Sequence, residues 1–244
     1  MTRVFKALSL LLTYPDRELV AAAPALRDVI RSEELLSSRI EAGLFELIDQ
    51  LETRDLYDLQ ERYVFLFDRT RSLSLHLFEH VHGESRDRGQ AMVDLAALYR
   101  RNGLEISANE LPDYLPLFLE FLSTLPSAEA HPLLSQPLHI VTALRERLER
   151  RDSIYRWVLR AVETLADAES DADGLREVRS APDDNPEDLV ALDKAWEDEP
   201  VTFGPSSGGD SCNQVAGMLR RLGAKLDRPR PPQSPTTATG RGAR

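Results

Sequence analysis

The sequence predicts an all-α fold, a single helical bundle of roughly seven to nine helices followed by a disordered C-terminal tail. Three observations lead there. Apolar residues recur at helical spacing from Val4 to about Ala168. The only strand-like alternation, Ser72-Leu73-Ser74-Leu75-His76-Leu77, is too short to build a sheet. Beyond Ala168 the composition turns acidic and then rich in Gly, Ser, Pro and Thr, which offers little to bury.

Taken in order, Val4, Leu8, Leu11 and Leu12 form the first stripe. Tyr14-Pro15-Asp16-Arg17-Glu18 follows at once with no small-residue cleavage site, so this run reads as an amphipathic helix rather than an export signal. Leu36, Ile40, Leu44, Leu47, Ile48 and Leu51 make a second stripe, on a helix ending near Thr53. A third helix starts after Asp55 and carries Leu56, Leu59, Tyr63, Leu66 and Phe67. Another opens at Ser85, runs through Met92, Leu95 and Leu98, and stops at Gly103, just past Arg100 and Arg101. Pro112 is expected in the first turn of the next helix, where a missing N–H costs nothing, and Pro116 is early enough to be accommodated too. Leu115, Leu117, Phe118, Phe121 and Leu122 follow. Ser135-Gln136-Pro137 introduces a helix with Leu138, Val141, Leu144 and Leu148 on one side. Asp152 is expected to cap the last strong helix, whose Ile154, Trp157, Val158, Ala161 and Leu165 face inward.

These patterns divide the chain into a helical domain at 1–168, an acidic segment at 169–204 and a disordered basic tail at 205–244. The acidic segment should hold one short helix around Leu189, Leu192 and Trp196. No stretch approaches the roughly 18 apolar residues that cross a bilayer, so a cytoplasmic protein without stable membrane insertion is expected. Net charge is −11 overall, but residues 201–244 carry +5 and residues 1–200 the remaining −16. So acidic a body repels nucleic acid and attracts a basic peptide; equally, the charge can simply keep the protein soluble. Cys212 is the single cysteine, which excludes an internal disulfide and a cysteine-built metal site.

The chain lacks a phosphate-cradling glycine loop, a G-x-S-x-G elbow and a paired C-x-x-C. Concentrated polar chemistry remains between Arg69 and Gln90, where His76, His80 and His82 stand among Glu79, Glu84 and Asp87. His76-Leu77-Phe78-Glu79-His80 fits the H-x-x-E-H pattern of one zinc peptidase class, and on a helix the two histidines would share a face. A zinc hydrolase using His76, Glu79 and His80 is therefore one reading. In another, Glu79, Glu84 and Asp87 meet arginines of a bound peptide over an apolar floor of Leu77 and Phe78. In a third, the same acids pair internally with Arg69, Arg71, Arg86 and Arg88; separately, a helical adaptor is a further functional class. Glu110 to Leu122 is the second candidate, with more large apolar residues than one helix face can bury.

As whole strings these two segments resemble the nitrate reductase molybdenum cofactor assembly chaperones of the NarJ type, a branch of the TorD-like redox-enzyme maturation chaperones. The resemblance rests on Tyr63-Val64-Phe65-Leu66-Phe67-Asp68-Arg69-Thr70-Arg71 through His76-Leu77-Phe78-Glu79-His80-Val81-His82-Gly83-Glu84 to Gln90-Ala91-Met92. Glu110 to Leu122, the opening Leu10-Leu11-Leu12-Thr13-Tyr14-Pro15 and the ending Val201-Thr202-Phe203-Gly204 also fit, so it covers roughly residues 3–204. The wider family favours Pro-Asp-His where this chain has Pro112-Asp113-Tyr114, so nothing assigned to that histidine carries over.

The resemblance implies a helical, cytoplasmic, non-catalytic chaperone with no permanently bound cofactor. Its partner would be the nitrate reductase alpha subunit, held by an N-terminal segment that is a remnant of a twin-arginine targeting peptide. It would keep that apo subunit open for insertion of bis-molybdopterin guanine dinucleotide, in reach of the cofactor's biosynthesis proteins, and delay membrane docking until then. For such a peptide the candidate apolar contacts are Leu66, Phe67, Leu77, Phe78, Leu117 and Phe121. The candidate polar contacts are Glu79, Glu84, Asp87, Asp113 and Glu120, with His76, His80 and His82 giving pH sensitivity.

Overall fold

The computed structural model describes residues 2–82, 86–106, 110–185 and 187–188, without the side chains of His82, Arg86 and Asp87. Among these the expected all-α architecture is found, as eleven α-helices. The first four are α1 (Arg3–Leu11), α2 (Arg17–Glu33), α3 (Ser38–Thr53) and α4 (Leu56–Tyr63). Then come a short α5 (Glu79–His82), α6 (Arg86–Arg101), α7 (Leu115–Thr124), α8 (Ser127–Leu134), α9 (Leu138–Arg150), α10 (Arg156–Ala166) and α11 (Ala172–Ser180). The sole β-type pairing among the described residues is an isolated antiparallel bridge between His76 and Tyr114.

α1 is the central helix. Val4, Phe5, Ala7, Leu8 and Leu11 are all buried, covering most of its circumference, because α2, α7 and α10 pack around it. Its one buried hydroxyl, Ser9 Oγ, donates to the Pro116 carbonyl at 2.6 Å. α3 lies on α2 and α10, and α9 lies between α10 and α11. Local chemistry sets the helix starts: Asp16 accepts from the Leu19 amide and Asp55 from the Tyr57 amide.

Four details differ from the sequence reading. Pro112 lies ahead of α7 in a turn, and Pro116 is the proline in the first helical turn. Asp152 does not cap α10. With φ +50 it sits in the left-handed region behind α9, where the Ser153 amide bonds back to the Leu148 carbonyl. Pro24 stands inside α2, a helix its ring disguises in the sequence because it removes one i→i−4 bond. Packing also continues past Ala168: Leu175 and Val178 of α11 are buried against α9. The expected helix around Leu189, Leu192 and Trp196 and the tail from 205 lie outside the described residues. The stop at Gly103 is found as expected, with φ +80 and the Leu104 amide bonded to the Tyr99 carbonyl.

After Tyr63 the α4 helix widens into one π-type turn, Val64–Asp68, closed by the Arg69 amide on the Val64 carbonyl at 3.1 Å. Five successive large residues, Tyr63-Val64-Phe65-Leu66-Phe67, are too many for one inward stripe. The wide turn sends Leu66 and Phe67 into the core beside Tyr63 and leaves Val64 exposed.

Candidate functional site

The two segments singled out in the sequence meet. The chain from Leu75 to Phe78 runs against Asp113–Leu115, joined by Leu77 N–H to Asp113 O at 3.0 Å and Leu115 N–H to Leu75 O at 2.8 Å. At the centre lies Asp113, a fully buried carboxylate. Its Oδ2 accepts the Phe78 amide at 3.0 Å and its Oδ1 stands 3.3 Å from His76 Nδ1. A buried charge is tolerable only when so paired and hydrogen-bonded. Burial alone would lower the pKa of His76, but the hydrogen bond and charge of Asp113 outweigh it and hold the ring above its ordinary value. Tyr114 lies over the His76 ring at 5.3 Å, and its hydroxyl meets that of Tyr63 at 3.0 Å. Tyr63 in turn donates to the Leu12 carbonyl. Tyr99 donates to the Pro112 carbonyl at 2.8 Å, fixing the turn from the other side.

His76 and His80 do not share a helix face. His76 precedes α5 and faces Asp113, whereas His80 Nε2–H donates to the Ser74 carbonyl at 2.8 Å. Burial pushes the pKa of His80 down and keeps it neutral, which suits a ring that has one carbonyl to satisfy. Among the described residues no three His, Cys, Asp or Glu gather where they could hold a metal ion.

The apolar candidates fall into two groups. Leu66, Phe67, Leu77, Phe78 and Phe121 are core residues, none more than 6% exposed, and Leu117 is half-buried. In this conformation only Leu117 offers surface to a peptide. Of the acids, Glu79 pairs with Arg88 at 3.1 Å and Glu120 with Lys6, all four side chains partly exposed. Glu84 and the side chains of His82 and Asp87 lie outside the described residues.

Sequence reasoning missed Arg147. It lies on α9, 2% exposed, and donates to the Ser72 carbonyl at 2.7 Å, to Val178 O at 2.8 Å and to Ala181 O at 3.3 Å. One guanidinium thus ties the 71–73 turn to α11. It also missed a shallow groove of about 610 Å3 along α4 and the π turn, lined by Tyr14, Tyr57, Asp58, Gln60, Glu61, Val64, Phe65 and Arg69. The run of five apolar residues beginning at Tyr63 was the available signal.

Comparison with known proteins agrees with this architecture. A family model described as nitrate reductase delta subunit matches residues 33–162, more than half of the chain. The chain is 43% identical to the nitrate reductase molybdenum cofactor assembly chaperone NarJ of Escherichia coli K12, over 84% of this chain and 86% of that protein. It is 39% identical to NarW of the same strain, over 82% and 84%. Among solved structures, a candidate redox enzyme maturation protein from Archaeoglobus fulgidus superposes with a TM-score of 0.51 at 25% identity, covering 69% of this chain and 94% of that one. These relatives are named for assembly and maturation rather than for catalysis, and this chain belongs to the nitrate reductase delta subunit family.

Proposed function

We propose that the chain is a system-specific chaperone for a respiratory nitrate reductase. It binds the apo catalytic subunit through that subunit's N-terminal segment, holds it for molybdenum cofactor insertion, and delays membrane docking until maturation is complete. The reading is supported above all by a match that runs almost end to end along NarJ, a protein named for molybdenum cofactor assembly. We further place its action in the cytoplasm. No described helix is long and apolar enough to cross a membrane.

The geometry favours recognition over chemistry, because the concentrated polar residues are spent on holding the fold. Asp113, His76 and His80 all hold neighbouring chain or each other. Glu79 and Glu120 are different. Each sits in a partly exposed ion pair worth no more than about 1 kcal/mol, so an arginine of the client can replace Arg88 or Lys6 at little cost. Leu117 lies near Glu120 on α7 and supplies the accessible apolar contact. Leu66, Phe67, Leu77, Phe78 and Phe121 are closed off in the core and join only if the helices around them open. A chaperone of this kind must grip the immature subunit more tightly than the mature one, since equal affinity for both moves no equilibrium.

Titration calorimetry of the full chain with the reductase's N-terminal segment tests the proposal. Association is expected, and the pair of changes Glu79→Ala and Glu120→Ala should weaken it about tenfold, near 1.4 kcal/mol. No association with either the segment or the whole apo subunit would sink it.

A further inference from the structure

Among the described residues, exposed apolar surface, an irregular backbone and acids without an ion pair coincide in the groove over α4. Tyr57, Tyr14 and Val64 are 80%, 46% and 40% exposed and are half of the exposed large hydrophobic residues among those described. All three line this groove. Tyr57, Glu61 and Val64 follow one another at helical spacing along the outer face, with Asp58 and Phe65 beside them. Asp58 and Glu61 enter no ion pair among the described residues. Arg69 closes one end, its guanidinium 5.8 Å from the Phe65 ring. An apolar strip edged by two free carboxylates suits a basic amphipathic helix laid along it.

The sequence contains such a segment outside the described residues. Between Gln214 and Arg228, the apolar residues Val215, Met218, Leu219, Leu222 and Leu226 repeat at i, i+3, i+4, i+7 and i+11. That spacing lines one face of a helix. Arg220, Arg221, Lys225 and Arg228 against the single Asp227 give the segment a charge of +3. Reach is not limiting, since the roughly 25 residues between Asp188 and Gln214 span up to about 85 Å when stretched.

We propose that residues 214–228 dock in the groove of Tyr14, Tyr57, Val64 and Phe65 as an internal occupant, their cations on Asp58 and Glu61. The chain then covers its own apolar groove, and any basic amphipathic segment of a partner has to displace it. A tethered occupant acts at an effective concentration near the millimolar range, so even a weak segment competes. This assignment stands apart from the identity of the client, because both the groove and its occupant belong to this chain.

Cys212, the only cysteine, stands two residues before the segment and carries a spin label for the test. In the full-length protein, amide signals of Tyr57, Glu61 and Val64 should lose intensity from the Cys212 label. The double variant Leu219→Asp/Leu222→Asp should restore them. The same variant should bind a synthetic peptide of residues 214–228 about tenfold more tightly than the unaltered chain, once the internal competitor is gone. Unaffected groove amides overturn the assignment, including when an added peptide from a partner still shifts them. So does signal loss that arises only between molecules, seen by mixing spin-labelled protein with isotope-labelled Cys212→Ser protein, which would make a second copy the occupant.

Discussion

Asp113 binds two points of one neighbouring stretch, with Oδ1 3.3 Å from His76 Nδ1 and Oδ2 accepting the Phe78 amide at 3.0 Å. The 76–78 stretch has little regular structure of its own, so this carboxylate and the short β-bridge beside it decide where it lies. Asp113→Ala should cost about 1–3 kcal/mol, because it strands a buried amide. Asp113→Asn keeps an acceptor for Phe78 and should cost less while removing the charge beside His76. Urea unfolding of the two variants measures this. Equal losses would mean that the amide bond contributes nothing of its own.

The same pair predicts a pH dependence. His76 has a pKa raised above its ordinary value: burial opposes this, but the hydrogen bond and charge of Asp113 prevail. A raised folded pKa gives stability that is complete below the unfolded value of about 6.5 and is lost as pH climbs through the folded one. His80 and His139 run the other way, since burial lowers both and their contribution fades as pH falls. The stability difference between the unaltered chain and His76→Gln should therefore be largest at about pH 5.5 and shrink toward about pH 8. A gap that widened with pH would contradict the Asp113 pairing.

Gly43 on α3 exists for Trp157 on α10. A Cβ built at position 43 would fall 2.2 Å from Trp157 Cγ, inside any permitted contact. Gly43→Ala should destabilise by about 1–3 kcal/mol through overpacking, despite the better helix propensity of alanine. Trp157→Leu should relieve part of that loss, so a double-mutant cycle on thermal unfolding would show positive coupling. Additive effects would show that the two helices part freely.

What was legible in the sequence follows from where the physics is local. Helical stripes such as Leu44, Leu47, Ile48 and Leu51 announce themselves by spacing, and so does the glycine stop at Gly103. Helix α2 hid behind Pro24, and α11 behind an acidic composition that masked Leu175 and Val178. At the site, the meeting of 76–78 with 113–115 joins residues about 37 apart and leaves no periodic trace. Asp113 therefore read as a surface acid although it is fully buried. Phe78 read as a binding residue because it stands among polar residues, and Phe121 because its segment holds more large apolar residues than one helix face can bury. Nothing in the spacing says that both are fully buried, Phe121 against the Tyr99 ring of α6.

Arg147 provides the sharpest test of how the parts are coupled. Its neighbours at the end of α9 make ordinary ion pairs: Arg150 and, just past the helix, Arg151 hold Asp183 at 2.8 Å each. Arg147 instead spends its donors on three backbone carbonyls from two separate elements, in a place nearly closed to water. Methionine replaces the unbranched stem but offers no donor, so Arg147→Met strands those carbonyls and should cost about 2–4 kcal/mol. Lysine keeps the charge without the planar fork and cannot serve Ser72 and Val178 together. Both variants should speed amide hydrogen exchange across 172–180 and around 72–74, while the middle of α9 stays protected. Arg179 also holds α11, through Glu146 at 2.6 Å, but that pair is exposed and contributes little. If α11 kept its protection in Arg147→Met, its docking would rest on Leu175 and Val178 alone, and the link between α11 and the candidate site would be void.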